Sequence, residues 1–119
     1  MTKPFVFVVE DDRKLSEIIT ITLQEDFKLE ICMDGDDALK RIREISPDII
    51  VLDLNLPGTS GADLLAYIRA DERLAKTRVI LATADERQAE MLTDEADIIL
   101  LKPVSPSQLK DMVLRMSPS

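Results

Sequence analysis

Ile49-Ile50-Val51-Leu52-Asp53 is four aliphatic residues without a polar break, ended by a carboxylate. A half-exposed strand alternates apolar and polar residues, whereas a continuous apolar run marks a strand covered on both faces, as in the interior of a parallel sheet. Leu56-Pro57-Gly58-Thr59-Ser60-Gly61 follows, a loop by its turn chemistry, and then a helical face through Leu64, Leu65 and Ile68. The unit reads strand, loop, helix.

The same unit recurs on either side. Upstream, Phe5-Val6-Phe7-Val8-Val9 is a second unbroken run, followed by Glu10-Asp11-Asp12 and a helical face of Leu15, Ile18, Ile19 and Leu23. Phe27 to Cys32 alternates more, with Lys28 and Glu30 between apolar neighbours, and suits a strand nearer an edge. Ala38, Leu39, Ile42 and Ile45 mark the next helix, stopped by Ser46-Pro47 because the residue before proline disfavours the helical region. Downstream, Val79-Ile80-Leu81-Ala82 is a strand, Glu86 to about Asp94 a short helix with Ala89 and Leu92 facing inward, and Ile98-Ile99-Leu100-Leu101 the last strand. Ser105 or Ser107 caps a final helix through Leu109, Met112, Val113 and Met116.

Five strands alternating with five helices predict a parallel sheet, since parallel neighbours need crossover connections. Right-handed crossovers with helices on both faces give a doubly wound α/β sandwich, and strand order 2-1-3-4-5 suits a five-stranded chain. That order makes strands one, three and four interior, in keeping with their unbroken runs. It also puts the ligand crevice beyond the carboxyl ends of strands one and three, where the order switches.

Composition narrows the classes. A chain of 119 residues suits one compact domain, residues 1–119, able to bury a core without disulfides or structural metals. With 45% hydrophobic and 32% charged residues, disorder is not expected. Fifteen Lys+Arg against 23 Asp+Glu leave a net charge of -8, which repels nucleic-acid phosphates and anionic lipid surfaces. Phe5 to Val9 is far shorter than the roughly 20 residues of a membrane span, and its acidic continuation does not fit a signal peptide. Cys32 is alone and there is no His, so internal disulfides, imidazole bases and most transition-metal sites are excluded. The expected setting is the cytoplasm.

The residues that follow the strands converge on one edge: Glu10-Asp11-Asp12 after strand one, Asp53 at strand three, Thr83 after strand four, Lys102-Pro103 after strand five. Two unit charges about 4 Å apart repel by roughly 4 kcal/mol at an effective dielectric of 20, enough to raise one pKa by about 3 units. Lys102 supplies one compensating charge, so a hard divalent cation such as Mg²⁺ is the natural remedy. Such a centre leaves room for phosphate oxygens. Asp53 would then attack phosphorus and form an acyl phosphate, Mg²⁺ and Lys102 would neutralise the transferring group, and the Thr83 hydroxyl would donate to one of its oxygens. The nucleophile is already ionised at pH 7, so no protein base is required.

Each piece also has a plain structural reading. Asp53 can cap a loop, Glu10-Asp11-Asp12 can favour a helix start through the macrodipole, Thr83 can cap its own turn, and Lys102 can be a solvated lysine. None of these explains why all four lie at one edge.

Glu10-Asp11, Asp53 within Leu52-Asp53-Leu54-Asn55-Leu56-Pro57-Gly58, Thr83-Ala84 and Lys102-Pro103 together resemble the receiver domain of two-component response regulators, across the chain from Phe5 to the last helix. The resemblance implies a flavodoxin-like sandwich and a phosphoacceptor signalling switch. It implies phosphorylation of Asp53 by a sensor histidine kinase or phosphotransfer protein, and Mg²⁺ held by Glu10, Asp11, Asp53 and the main-chain carbonyl of Asn55. Asp12 would turn toward the first helix, Lys102 would touch the phosphoryl group, and the Lys102-Pro103 bond is often cis in relatives. Such a domain is not an enzyme beyond its own phosphorylation and dephosphorylation. Its output would pass to a downstream protein target, or to a phosphorylation-dependent homodimer, through the face of helix four, strand five and helix five.

Three features depart from the family pattern. Ile99 stands where relatives carry an aromatic residue that follows the switch threonine, the stretch between Thr83 and Lys102 is about one helical turn short, and Glu95 replaces a usual glycine. Ile99 and the shortened fourth helix support an alternative, a pseudo-receiver that docks a partner without phosphorylation. A dehalogenase-like phosphohydrolase would want a second aspartate where Asn55 stands, and a flavin carrier would want a Ser/Thr-rich loop after strand one. The expectation is a stand-alone receiver or part of a longer protein, with Met116-Ser117-Pro118-Ser119 compatible with a linker.

Overall fold

A computed structural model describes residues 3–118. The elements run β1 (Phe5–Val9), α1 (Arg13–Leu23), β2 (Lys28–Cys32), α2 (Gly35–Ile42), β3 (Ile49–Asp53), α3 (Gly61–Ala70), a 3-10 turn (Glu72–Leu74), β4 (Arg78–Thr83), α4 (Glu86–Met91), β5 (Ile98–Leu101) and α5 (Pro106–Met116). The sheet has the order β2-β1-β3-β4-β5, with every neighbouring pair parallel. This is the doubly wound architecture that the unbroken strands predict.

The reason those strands are apolar throughout is visible in the two cores. Successive side chains point to opposite faces of a sheet. Phe7, Val9, Ile50, Leu52 and Leu81 therefore enter one core with Ala38 and Ile42 of α2 and Leu64, Leu65 and Ile68 of α3. Val6, Val8, Ile49, Val51 and Ile80 enter the other, with Ile19 and Leu23 of α1 and Leu109 and Val113 of α5. All five residues of β3 are buried, whereas β2 at the edge has none.

Helix starts follow the capping rule, in which a short polar side chain accepts from the first unpaired amides. Asp12 accepts from the Leu15 amide, which is where the resemblance directs it; Asp34, Ser60 and Asp85 do the same for α2, α3 and α4. For α5 the cap is Ser105, with Pro106 in the first turn.

Boundaries differ at two helices. The second ends at Ile42, not at Ile45, because the Glu44 amide turns back to the Arg41 carbonyl; Ile45 still packs on the core from outside the helix. The fourth ends at Met91, and the Glu95 and Ala96 amides close a turn on the Leu92 carbonyl. The 3-10 turn buries Leu74 completely, an anchor too short to leave a periodic signal. Met112 and Met116 pack against the α1/α5 core as expected. Among the described residues no helix is long and apolar enough to cross a membrane. Of the ending Met116-Ser117-Pro118-Ser119, Ser119 lies outside the described residues.

Candidate functional site

Strand register brings the polar ends together. Val9 of β1 lies opposite Leu52 of β3, so Glu10 and Asp53 emerge side by side. Asp53 is opposite Ala82 of β4, which puts Thr83 one residue beyond, and Thr83 is opposite Leu101 of β5, which puts Lys102 next. The Lys102 amide donates to the Thr83 carbonyl at 2.8 Å, extending that pairing past the strand, and the Lys102-Pro103 bond is cis.

Glu10 and Asp53 are each 3% exposed, a burial that carboxylates tolerate only with partners. The Lys102 ammonium is that partner: Nζ lies 3.0 Å from Asp53 Oδ2 and 3.3 Å from Glu10 Oε1. The Asp12 amide donates to Glu10 Oε2 at 3.2 Å, and the Asn55 amide to Asp53 Oδ1 at 3.0 Å. One ammonium does not balance two buried acids. Burial above all, and then the neighbouring Asp53 carboxyl, push the Glu10 carboxyl up to about 7. Burial works to lower the Lys102 ammonium, but the Asp53 and Glu10 carboxylates outweigh it and hold its pKa above the usual lysine value.

Carboxylate oxygens of Glu10, Asp11 and Asp53 all lie within 4.8 Å of one another, with Asp11 at the exposed mouth. A divalent ion about 2.1 Å from each oxygen fits such a set after small side-chain adjustments, and three hard oxygen donors suit Mg²⁺. The elevated Glu10 carboxyl points the same way, because it is a site short of positive charge. Behind the acids a cavity of about 530 Å³ opens between α1 and α5, with Leu15, Ile18 and Leu109 among its walls.

The structure thus brings Glu10, Asp11, Asp53 and Lys102 into one cluster. Asn55 sits at its rim, two residues after Asp53 and exposed. Thr83 is fully buried at the adjoining strand end, but its hydroxyl accepts from the Asp85 amide at 3.0 Å and makes no hydrogen bond to the acids. Ile99 is partly buried against the α2/α3 core. The sequence gives no role to Asp36, which reads as an ordinary first-turn acid. Its carboxylate in fact crosses to the loop after β3, accepting from the Thr59 amide at 3.0 Å and the Thr59 hydroxyl at 2.7 Å. The only linear hint was a glycine on each side of that contact, Gly35 and Gly58.

A parallel 2-1-3-4-5 sheet with acids at β1 and β3, a buried threonine at β4 and a lysine at β5 defines a receiver-type signalling domain. The chain belongs to the response regulator receiver domain family, which it matches over residues 6–114. It is 36% identical over 108 residues to the DNA-binding response regulator MtrA of Mycolicibacterium paratuberculosis, covering 87% of this chain and 47% of that protein. The phosphate regulon transcriptional regulatory protein PhoB of Rhizobium meliloti is 33% identical over 117 residues, or 95% of this chain and 52% of that one. The chain therefore spans about half the length of these curated relatives. A Francisella response regulator receiver domain superposes with a TM-score of 0.85 at 30% identity, covering 96% of each chain. Receiver domains act in two-component signalling and are not enzymes in the ordinary sense; they interact with histidine kinases and downstream effectors, and generally bind Mg²⁺ at an acidic pocket.

Proposed function

We propose that this domain is a phosphoacceptor switch that takes a phosphoryl group on Asp53 and changes partner binding through the face of α4, β5 and α5. The observation that carries the reading is the buried Asp53 carboxylate, 3.0 Å from the Lys102 ammonium and grouped with Glu10 and Asp11. An Asp53 oxygen attacks the phosphorus of a phosphohistidine on a sensor kinase or phosphotransfer protein; the P–N bond breaks as the P–O bond forms, and the histidine nitrogen leaves with the electron pair. Glu10, Asp11, Asp53 and the Asn55 main-chain carbonyl would hold Mg²⁺, which supplies charge neutralisation for the transferring group. Lys102 neutralises a second phosphoryl oxygen from the β5 side. Thr83 exchanges its hydrogen bond with Asp85 for one to the phosphoryl group, and so transmits charge at Asp53 to the start of α4. Dephosphorylation is the same chemistry with water as acceptor.

Its downstream partners are a protein target or a second copy of the domain, in the cytoplasm; DNA binding would belong to another part of a longer regulator, as the names of the half-matched relatives suggest. The substitution of Ile99 for an aromatic and the six-residue α4 favour the rival reading, phosphorylation-independent docking.

One experiment separates the two. Incubated with a small acyl-phosphate donor and Mg²⁺, the protein should gain one phosphoryl group by intact mass, and Asp53→Asn should gain none. Labelling that persists in Asp53→Asn would reject Asp53 as acceptor, and no labelling of the wild type would favour the docking module.

A further inference from the structure

The loop from Leu54 to Ser60 carries Asn55 on its first leg and is closed at its foot by the Gly61 amide on the Leu54 carbonyl, at 3.3 Å. Its tip is gripped by α2. The Gly35 amide donates to the Pro57 carbonyl at 2.9 Å, and Asp36 Oδ1 accepts from both the amide and the hydroxyl of Thr59. Two glycines make the approach close enough. A Cβ on Gly35 would sit 1.7 Å from the Thr59 carbonyl oxygen, and Gly58 turns the loop at φ +76, where a Cβ would sit 2.7 Å from Asp36 Oδ2. An exposed acid normally stays in water. Here it spends an oxygen on two donors from a loop 23 residues away, a use that helix-start electrostatics does not call for.

We propose that Asp36 is a positioning residue for the phosphoacceptor site, clamping the loop after β3 through Thr59 so that the Asn55 main-chain carbonyl is held ready as a metal ligand. The inference rests on the reading of Glu10, Asp11, Asp53 and Asn55 as the Mg²⁺ site. Asp36 touches neither metal nor phosphoryl group, and its contribution is to preorganise a ligand carried on a loop. Outer partners that orient metal ligands are worth about 10- to 100-fold in metal affinity.

The test is Mg²⁺ titration by calorimetry on the wild type and on Asp36→Ala, Asp36→Asn, Thr59→Val and Asp37→Ala, each shown to be folded by its thermal melt. Asp36→Ala should weaken Mg²⁺ binding about tenfold. Asp36→Asn keeps the acceptor oxygen without the charge and should stay within about threefold of wild type, as should Asp37→Ala, which removes a first-turn acid that Thr59 does not use. Thr59→Val should lie between, and adding it to Asp36→Ala should cost nothing more, because the two share one interaction. In the metal-free protein, amide exchange at Asn55 and Thr59 should quicken in Asp36→Ala and not in Asp37→Ala. Wild-type affinity in a folded Asp36→Ala overturns the inference and leaves the metal site standing. Equal weakening in Asp36→Asn and Asp36→Ala also overturns it, since charge alone would then account for the effect. A wild type that takes up no Mg²⁺ brings down the metal site and the inference together. If Asp36→Ala fails to fold, Thr59→Val decides alone: unchanged affinity rejects the clamp.

Discussion

The β1/β3 end of the sheet and the β4–α4–β5 corner are built to different tolerances. At the first, Glu10 and Asp53 are almost inaccessible, fixed by Lys102 and by the amides of Asp12 and Asn55, and set at the ends of the buried runs Val6–Val9 and Ile49–Leu52. At the second, α4 is six residues long with one buried side chain, Met91 is 83% exposed, and the Thr83 hydroxyl bonds to its own turn. The phosphoryl transfer proposed for Asp53 would need oxygens placed to within about 0.5 Å, which packing at this end favours. The output role proposed for the second would need movement at small cost, and few buried contacts mean a low energy of local rearrangement. The two ends can therefore vary separately, which is how a chain can keep Asp53 and Lys102 and still carry Ile99 and a shortened α4.

Stability measurements test that contrast most directly. Leu81→Ala, between the two ends in the fully buried part of β4, should cost about 3 kcal/mol in denaturant unfolding, whereas Met91→Ala should cost less than about 0.5 kcal/mol. A large loss from Met91→Ala would mean that the corner is as tightly built as the site.

The acid cleft has its own signature. Folding raises the Glu10 carboxyl from 4.5 to about 7, so the folded state binds the extra proton. The stability that Glu10 contributes is whole below pH 4.5, falls as pH rises to about 7, and is flat above that. Glu10→Gln should therefore be the more stable protein at pH 8, by up to about 3 kcal/mol, with the difference vanishing near pH 4. Added Mg²⁺ should narrow the gap by stabilising the ionised wild type. A difference that does not change with pH would show that Glu10 is not short of countercharge.

A smaller effect than those of Leu81 and Glu10 belongs to Thr83. Thr83→Val keeps the shape and removes one hydroxyl, so it should cost about 1 kcal/mol in the unphosphorylated protein. Amide shifts in α4 on adding beryllofluoride with Mg²⁺ should shrink, while Asp53 remains able to react. Undiminished shifts would mean that the signal leaves by a route other than Thr83.

Much of this was legible in the linear chain because its physics is local or periodic. Unbroken Phe5–Val9 and Ile49–Leu52 read as strands covered on both sides, and their acidic ends share an edge once the sheet is parallel. Capping chemistry narrowed the start of the last helix to Ser105 or Ser107, of which Ser105 is the cap, and the family resemblance directed Asp12 to the first helix. The clamp from Asp36 to Thr59 was not legible, nor was the buried turn at Leu74, since each depends on partners far away in sequence or on a span too short to show a period. The ends of α2 and α4 were overrun for the same reason: periodicity continues through Ile45 and beyond Met91, but backbone hydrogen bonds turn away first.

From residue order alone came the alternation of elements, the strand order and the identity of the acids, lysine and threonine at one edge, because hydrophobic period and turn chemistry are written along the chain. Tertiary structure decided the distances: the Lys102 ammonium shared by two carboxylates, the threonine hydroxyl turned to its own loop, and the grip of α2 on the loop after β3. The side-chain contacts of Lys102 and Asp36 follow from strand register and packing, which bring together groups 23 to 92 residues apart that no local pattern can pair.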